Sequence, residues 1–160
     1  MEKVVVRGIA HDLSDARITV RHAVDRPGIA ARLFGALAER NINVDVILQN
    51  SGEGGTADVS FTVKEGDLGK ALEVCQNIRQ ELGATEVLAD SSVAKVTVVG
   101  IGMRSHPGVA ATAFAALAGA GVNIQMISTS EIKIACIISA ADVEKAVRAL
   151  HAAFELDREG

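Results

Sequence analysis

Two short stretches carry residue types from which a binding site can be built. In DRPG, Asp25 stands two residues before Pro27-Gly28; in SHPG, Ser105 stands two residues before Pro107-Gly108. An Asp or Ser there is ordinary helix-capping chemistry, and proline suits the first helical turn. Capping does not account for the glycine, which costs about 0.5–1 kcal/mol relative to alanine if counted as a helix-interior residue. What glycine offers is bare backbone. A helix N-terminus presents several N–H donors and a positive dipole end, a natural seat for a carboxylate. Asp25 beside it can hold an ammonium. Carboxylate plus ammonium at that spacing describes a free amino acid. The second loop has Ser105 where the first has Asp25, so Ser105, Gly108 and Val109 lack the anionic partner. The first loop is the better seat.

Other chemistry finds little support. His11, His22, His106 and His151 sit on different elements with no evident Ser or Cys partner. There is no Walker-type phosphate loop; GIGM at 100–103 ends a strand, and SGEGG at 51–55 reads as a hairpin. Cys75 and Cys136 lie in apolar patterns without CxxC spacing, which predicts two buried, reduced thiols and no metal site. The 160 residues carry 16 basic and 20 acidic side chains, a net charge of −4 that leaves no footprint for nucleic acid or an anionic membrane. With four Phe and no Trp or Tyr, base-stacking platforms are excluded as well. The N-terminus has charges where a signal peptide needs an apolar core, and no apolar run reaches membrane length. The expectation is a soluble, cytoplasmic protein.

The elements that position the loops come in duplicate. Residues 26–50 overlie 106–130 without a gap, with ten of the 25 positions identical. In ARITVRHAV, Ile18, Val20, His22 and Val24 alternate with Thr19, Arg21 and Ala23, the mark of a strand with one face in solvent. Asp25 then caps a helix striped by Ile29, Leu33 and Leu37. NVDVILQN and ADVSFTV alternate again, a second helix runs through Leu68, Leu72, Cys75 and Ile78 to Gly83, and TEVLAD is a last strand. The unit is β-α-β-β-α-β, an α+β, ferredoxin-like antiparallel sheet with both helices on one face. The second unit repeats this order but stops after Phe154 without its last strand, while residues 3–10 form a spare strand at the N-terminus. The economical arrangement is a first unit at 16–92 inserted in a second made of 3–12 and 94–156.

A βαββαβ unit with D-x-P-G at its first strand–helix junction resembles the ACT domain, a small-molecule sensor. The run GMRSHPGVAATAFAALAGAGVNIQMISTSEIKIACII is similar to the tandem ACT region of aspartokinases, and the likeness covers essentially the whole chain. The kinase portion, with its K-F-G-G-type motif, is absent, so the chain resembles the separate regulatory subunit of that family. The resemblance implies no catalysis and no cofactor. It implies feedback inhibition of aspartate phosphorylation by threonine or lysine, with a catalytic α subunit as partner and a homodimer formed by ACT pairing. Residue by residue, it implies Asp25 on the ammonium, backbone at Gly28, Ile29 and Ala30 on the carboxylate, and Gln49 as a polar partner. Asn123 and Ile124 of the facing unit close the pocket. A second seat, if duplication kept one, uses Ser105, Gly108 and Val109 with Asn43 and Val44.

Two other readings stay open. One is a regulatory subunit of acetohydroxyacid synthase; the other is a stand-alone double-ACT regulator acting through protein contacts. An enzyme in its own right is the weakest option.

Overall fold

The computed structural model describes residues 6–102 and 106–156. In chain order the elements are β1 (Val6–Asp12), β2 (Asp15–Val24), α1 (Ile29–Glu39), β3 (Ile47–Ser51), β4 (Thr56–Lys64), α2 (Leu68–Ile78), β5 (Glu86–Asp90), β6 (Val93–Gly100), α3 (Pro107–Gly119), β7 (Ile124–Thr129), β8 (Lys133–Ser139) and α4 (Val143–Ala153). They form two units: the continuous stretch Ser14–Ser91, and a second that joins the chain before Ser14 to the chain from Ser92 onward.

The first unit runs β2-α1-β3-β4-α2-β5, and its antiparallel sheet has the order β3-β4-β2-β5. The second runs β6-α3-β7-β8-α4 in the order β1-β6-β8-β7, so β1 stands where β5 stands in the first. The pairing of β1 with β6 is antiparallel, from Gly8 opposite Val99 to Asp12 opposite Lys95. The missing strand does come from ahead of the first unit, which is thereby inserted in the second. Residues 3–5 of the predicted strand lie outside the described residues.

Each unit has its own core. In the first, Ile18, Val20, Val59, Phe61 and Val63 of the sheet pack on Leu33 and Leu37 of α1 and on Ala71, Cys75 and Ile78 of α2. Phe34 meets Phe61 edge to face at 5.4 Å between ring centres. In the second, Val96, Val98, Ile134, Cys136 and Ile138 pack on Ala113, Leu117, Ala146 and Leu150. Burying one Leu or Phe of this kind stabilises by about 1.5–3 kcal/mol, so alternation along the strands suffices to hold the helices on one face.

The duplication extends to the helix exits. After α1 the Asn41 N–H donates to Ala38 O and the Ile42 N–H to Leu37 O; after α3 the Gly121 N–H donates to Ala118 O and the Val122 N–H to Leu117 O. Asn41 (φ 59) and Gly121 (φ 75) are both left-handed, so each exit is a Schellman turn with its apolar residue, Ile42 or Val122, buried.

Two strand expectations need correction. The alternation that puts His22 and Val24 in phase with Val20 breaks, because the β2–β4 register shifts between Val20 and Ala23. His22 sits in a bulge at φ 60, and Ala23, 1% exposed, takes the inward position. The His22 N–H donates to Asp58 Oδ1 at 2.9 Å, and its Nδ1 lies 2.9 Å from Thr85 Oγ1. Likewise the strand predicted over 43–50 begins only at Ile47. Just before it, the Asp45 N–H donates to Thr62 O and the Thr62 N–H to Val46 O, both at 3.0 Å, so two residues face one and the regular ladder is interrupted; the Val46 N–H turns instead to the buried Thr62 hydroxyl at 3.0 Å.

Candidate functional site

The first Pro-Gly loop leaves β2 at Val24. The exposed Asp25 donates its backbone N–H to Gly55 O in the β3–β4 hairpin at 2.9 Å. Its side chain does not cap α1. The N-cap is Gly28, at φ 93 and ψ −15, and no side chain bonds the helix entrance. The backbone closes the turn instead, with the Ile29 N–H on Arg26 O at 3.3 Å and the Arg32 N–H on Gly28 O at 2.9 Å. Asp25 stands three residues before the N-cap, and the first helical turn does not engage its carboxylate. Helix geometry leaves the N–H groups of Ala30 and Ala31 without an intrahelical acceptor.

Gly28 is glycine for its backbone angle. No atom lies within 4 Å of where its Cβ would stand, but φ 93 is a conformation L-residues rarely adopt. Ile29, 8% exposed, roots the turn in the first core, whereas Ala30 is exposed. The depression over the turn, about 230 Å³, is lined by Arg26, Pro27, Gly28, Ile29, Arg32 and Glu81. Arg32 Nε and Nη2 bond the two carboxylate oxygens of Glu81 at 2.5 and 3.0 Å. That hydrogen-bonded pairing pulls the Glu81 carboxyl below its ordinary range and raises the Arg32 guanidinium further.

Sequence reasoning missed Arg26, Arg32 and Glu81. Arg32 could have been found, since it follows Gly28 by one helical turn and faces the same entrance. Glu81 could not, because it arrives from another element.

The second loop differs. Its helix, α3, starts at Pro107 with His106 as N-cap at φ −132, and Gly108 is an ordinary helical residue. The predicted capping residue Ser105 lies outside the described residues, and among the described residues no side chain caps α3. His106 donates from Nδ1 to Gly102 O at 2.9 Å, and Val109 is half-buried against the second core. The two Pro-Gly pairs thus take different backbone conformations.

The remaining candidates divide by sheet end. Gln49 is exposed on the edge strand β3 opposite Val59. Ser51 and Ala23 both pair with Ala57, so Gln49 and the loop after β2 share one end of the sheet. Asn43, exposed, and Val44, half-buried on the first core, precede β3 at the other end of α1. They are not brought to Gly28. Asn123, exposed, and Ile124, half-buried where β7 begins, hold the matching places after α3 and are not brought to Gly108.

Further depressions among the described residues include the following two. One of about 410 Å³ between β1 and α4 joins His11 and His151 with Glu144 and Arg148, which pair with each other. Another of about 210 Å³ is lined by His22, Asn50, Ser51 and Asp58 among others. Among the described residues no three His, Cys, Asp or Glu gather as a metal would require, and no helix is long and apolar enough to cross a membrane. Cys75 and Cys136 are free and buried, and burial pushes each thiol up to about 11.

Comparison with known proteins agrees with this architecture. ACT-domain family models match residues 9–79 and 96–154. The aspartate kinase of Stutzerimonas stutzeri is 48% identical over 157 residues, 98% of this chain and 38% of the kinase. A crystal structure of aspartokinase alpha and beta subunits superposes with a TM-score of 0.88 at 50% identity, over 94% of this chain and 99% of that one. The ligand-free regulatory subunit of aspartate kinase from Thermus thermophilus superposes at 0.90 with 44% identity, over 95% and 99%. E. coli aspartokinase III in complex with lysine and aspartate superposes at 0.71 with 26% identity, over 94% of this chain and 33% of that enzyme. The chain spans about two fifths of the kinases' length. With two βαββαβ units nested one in the other and matched along nearly its whole length, the chain belongs to the aspartokinase family, as a tandem ACT-domain regulatory chain.

Proposed function

We propose that this chain is a non-catalytic regulator that binds an end-product amino acid, threonine or lysine, and so inhibits phosphorylation of aspartate by a cytoplasmic aspartokinase catalytic subunit. The observation that carries the reading is the left-handed Gly28 turn, which opens the first turn of α1 three residues after an exposed Asp25 that does not cap it. The effector's carboxylate bonds backbone N–H groups around Gly28, Ile29 and Ala30 at the positive end of α1, and Asp25 takes the ammonium. Gln49, at the same sheet end, is the polar partner for the rest of the ligand. Asn123 and Ile124 come from a second copy of the chain, so effector binding and homodimer pairing support each other. Lysine is a candidate because the E. coli enzyme was crystallised with it; threonine has the two polar ends the loop recognises.

A ligand of this kind shifts the kinase only by its differential affinity for two arrangements of the complex. Calorimetry with threonine and lysine on the wild-type chain and on Asp25→Ala tests the seat. Loss of a charged hydrogen bond predicts affinity weakened about ten-fold or more, and loss of inhibition once the catalytic subunit is added. Equal affinity in the two chains removes Asp25 from the site. Aspartate and ATP supplied to this chain alone should give no turnover.

A further inference from the structure

The first Pro-Gly loop is held from behind by residues 79–85, the connection between α2 and β5. Leu82 O accepts from the Val24 N–H at 2.8 Å, and the Thr85 N–H donates to Arg21 O at 2.9 Å. Gly83, at φ 70, lies directly on the Val24 side chain. These contacts fasten the strand that enters the loop. The helix that leaves it is fastened by Glu81, whose two carboxylate oxygens grip Arg32 at 2.5 and 3.0 Å. The Arg32 N–H in turn bonds Gly28 O at 2.9 Å. A bidentate guanidinium–carboxylate fork fixes orientation as well as distance, so a continuous line of bonds runs from Glu81 through Arg32 to the N-cap of α1.

The duplication supplies an internal comparison. Thr112 stands where Arg32 stands, and there the Pro-Gly glycine is not left-handed. The fork accompanies the left-handed turn.

We propose that Glu81 is a positioning residue of the amino-acid seat, acting through Arg32 to hold the Gly28 turn and the first-turn N–H groups of α1. The inference rests on the effector reading above. Arg32 is 41% exposed and Glu81 54%, so solvent screens the pair and its leverage is modest. A two- to five-fold change in effector affinity is the expected order for an exposed pair, and it should shrink as salt shortens the Debye length.

The test is calorimetry with threonine and with lysine on the wild-type chain, Glu81→Gln, Arg32→Gln and the double variant, at low and high salt. Amide hydrogen exchange across residues 28–32 of the ligand-free chains is read in parallel. Expected are a two- to five-fold loss in Glu81→Gln, no further loss when Glu81→Gln is added to Arg32→Gln, and faster exchange at 28–32 in each variant. Wild-type affinity with unchanged exchange in Glu81→Gln overturns the proposal, and so do losses that simply add in the double variant. If the wild-type chain binds neither amino acid, the effector reading fails by itself, and the exchange data alone decide whether Glu81 positions the turn.

Discussion

Gly83 and Val24 approach so closely that no side chain fits between them: a Cβ on Gly83 would lie 2.5 Å from Val24 Cγ2. Gly83 also has φ 70, so an alanine there meets both a clash with a stiff β-branched side chain and a disfavoured backbone. Gly83→Ala should destabilise the first unit by about 1–3 kcal/mol. Chemical unfolding followed by circular dichroism measures it, and an unchanged midpoint would show that the contact relaxes freely.

The two Pro-Gly glycines should respond to alanine with opposite signs. Gly28 is left-handed at φ 93, so Gly28→Ala should cost about 1–2 kcal/mol although no neighbour would clash. Gly108 is helical with open space around it, so Gly108→Ala should stabilise by up to about 1 kcal/mol. The pair of unfolding midpoints checks this; two shifts of the same sign would contradict the different conformations.

Deletion of residues 1–12 should damage the second unit and spare the first. It removes β1, the edge strand on β6, and Val6, which is 4% exposed in the second core. With no Trp or Tyr to report fluorescence, amide NMR is the suitable readout. Signals from Ser14–Ser91 should keep their dispersion while those from 93–156 collapse. A second unit that stays dispersed would mean β1 contributes little to its fold.

The buried thiols make stability fall in alkali. Burial raises Cys75 and Cys136 from 9.0 to about 11 in the folded chain, so between those values the unfolded state has released protons that the folded state retains. Stability is unaffected by these groups at neutral pH and declines as pH rises above about 8.5, by at most about 1.4 kcal/mol per pH unit for each thiol. Unfolding midpoints across this range, for the wild-type chain and Cys75→Ala/Cys136→Ala, measure it: the variant should lose that part of the slope. The same protonation predicts slow reaction of both thiols with alkylating reagents until the chain unfolds.

Much of the fold was legible because periodicity reports burial directly. The duplication, the element order and the need for a strand from the N-terminus all follow from apolar spacing and a strand count. The bulge at His22 was not legible, because an alternating pattern looks the same with or without an extra residue. What holds His22 at φ 60 is Asp58 and Thr85, 36 and 63 residues further along the chain. The capping assignment failed for a related reason. Asp25 has the right residue type, but its backbone N–H is bonded to Gly55 O, and the helix begins three residues later, at a left-handed Gly28.

Read alone, the amino-acid order establishes that a small unit is written twice, that each copy opens a helix with Pro-Gly, and that the first copy carries an acid two residues before it. Those are matters of residue type and spacing, which local physics reads without a partner. That identical Pro-Gly pairs take different backbones comes from long-range contacts. The first is bound at Val24 by Leu82 and at Arg32 by Glu81, bonds that reach across about fifty residues or more of chain. Such bonds exist only once the sheet has brought the α2–β5 connection beside the loop. No local pattern could anticipate that Gly28 would be held left-handed while Gly108 remained an ordinary turn of helix.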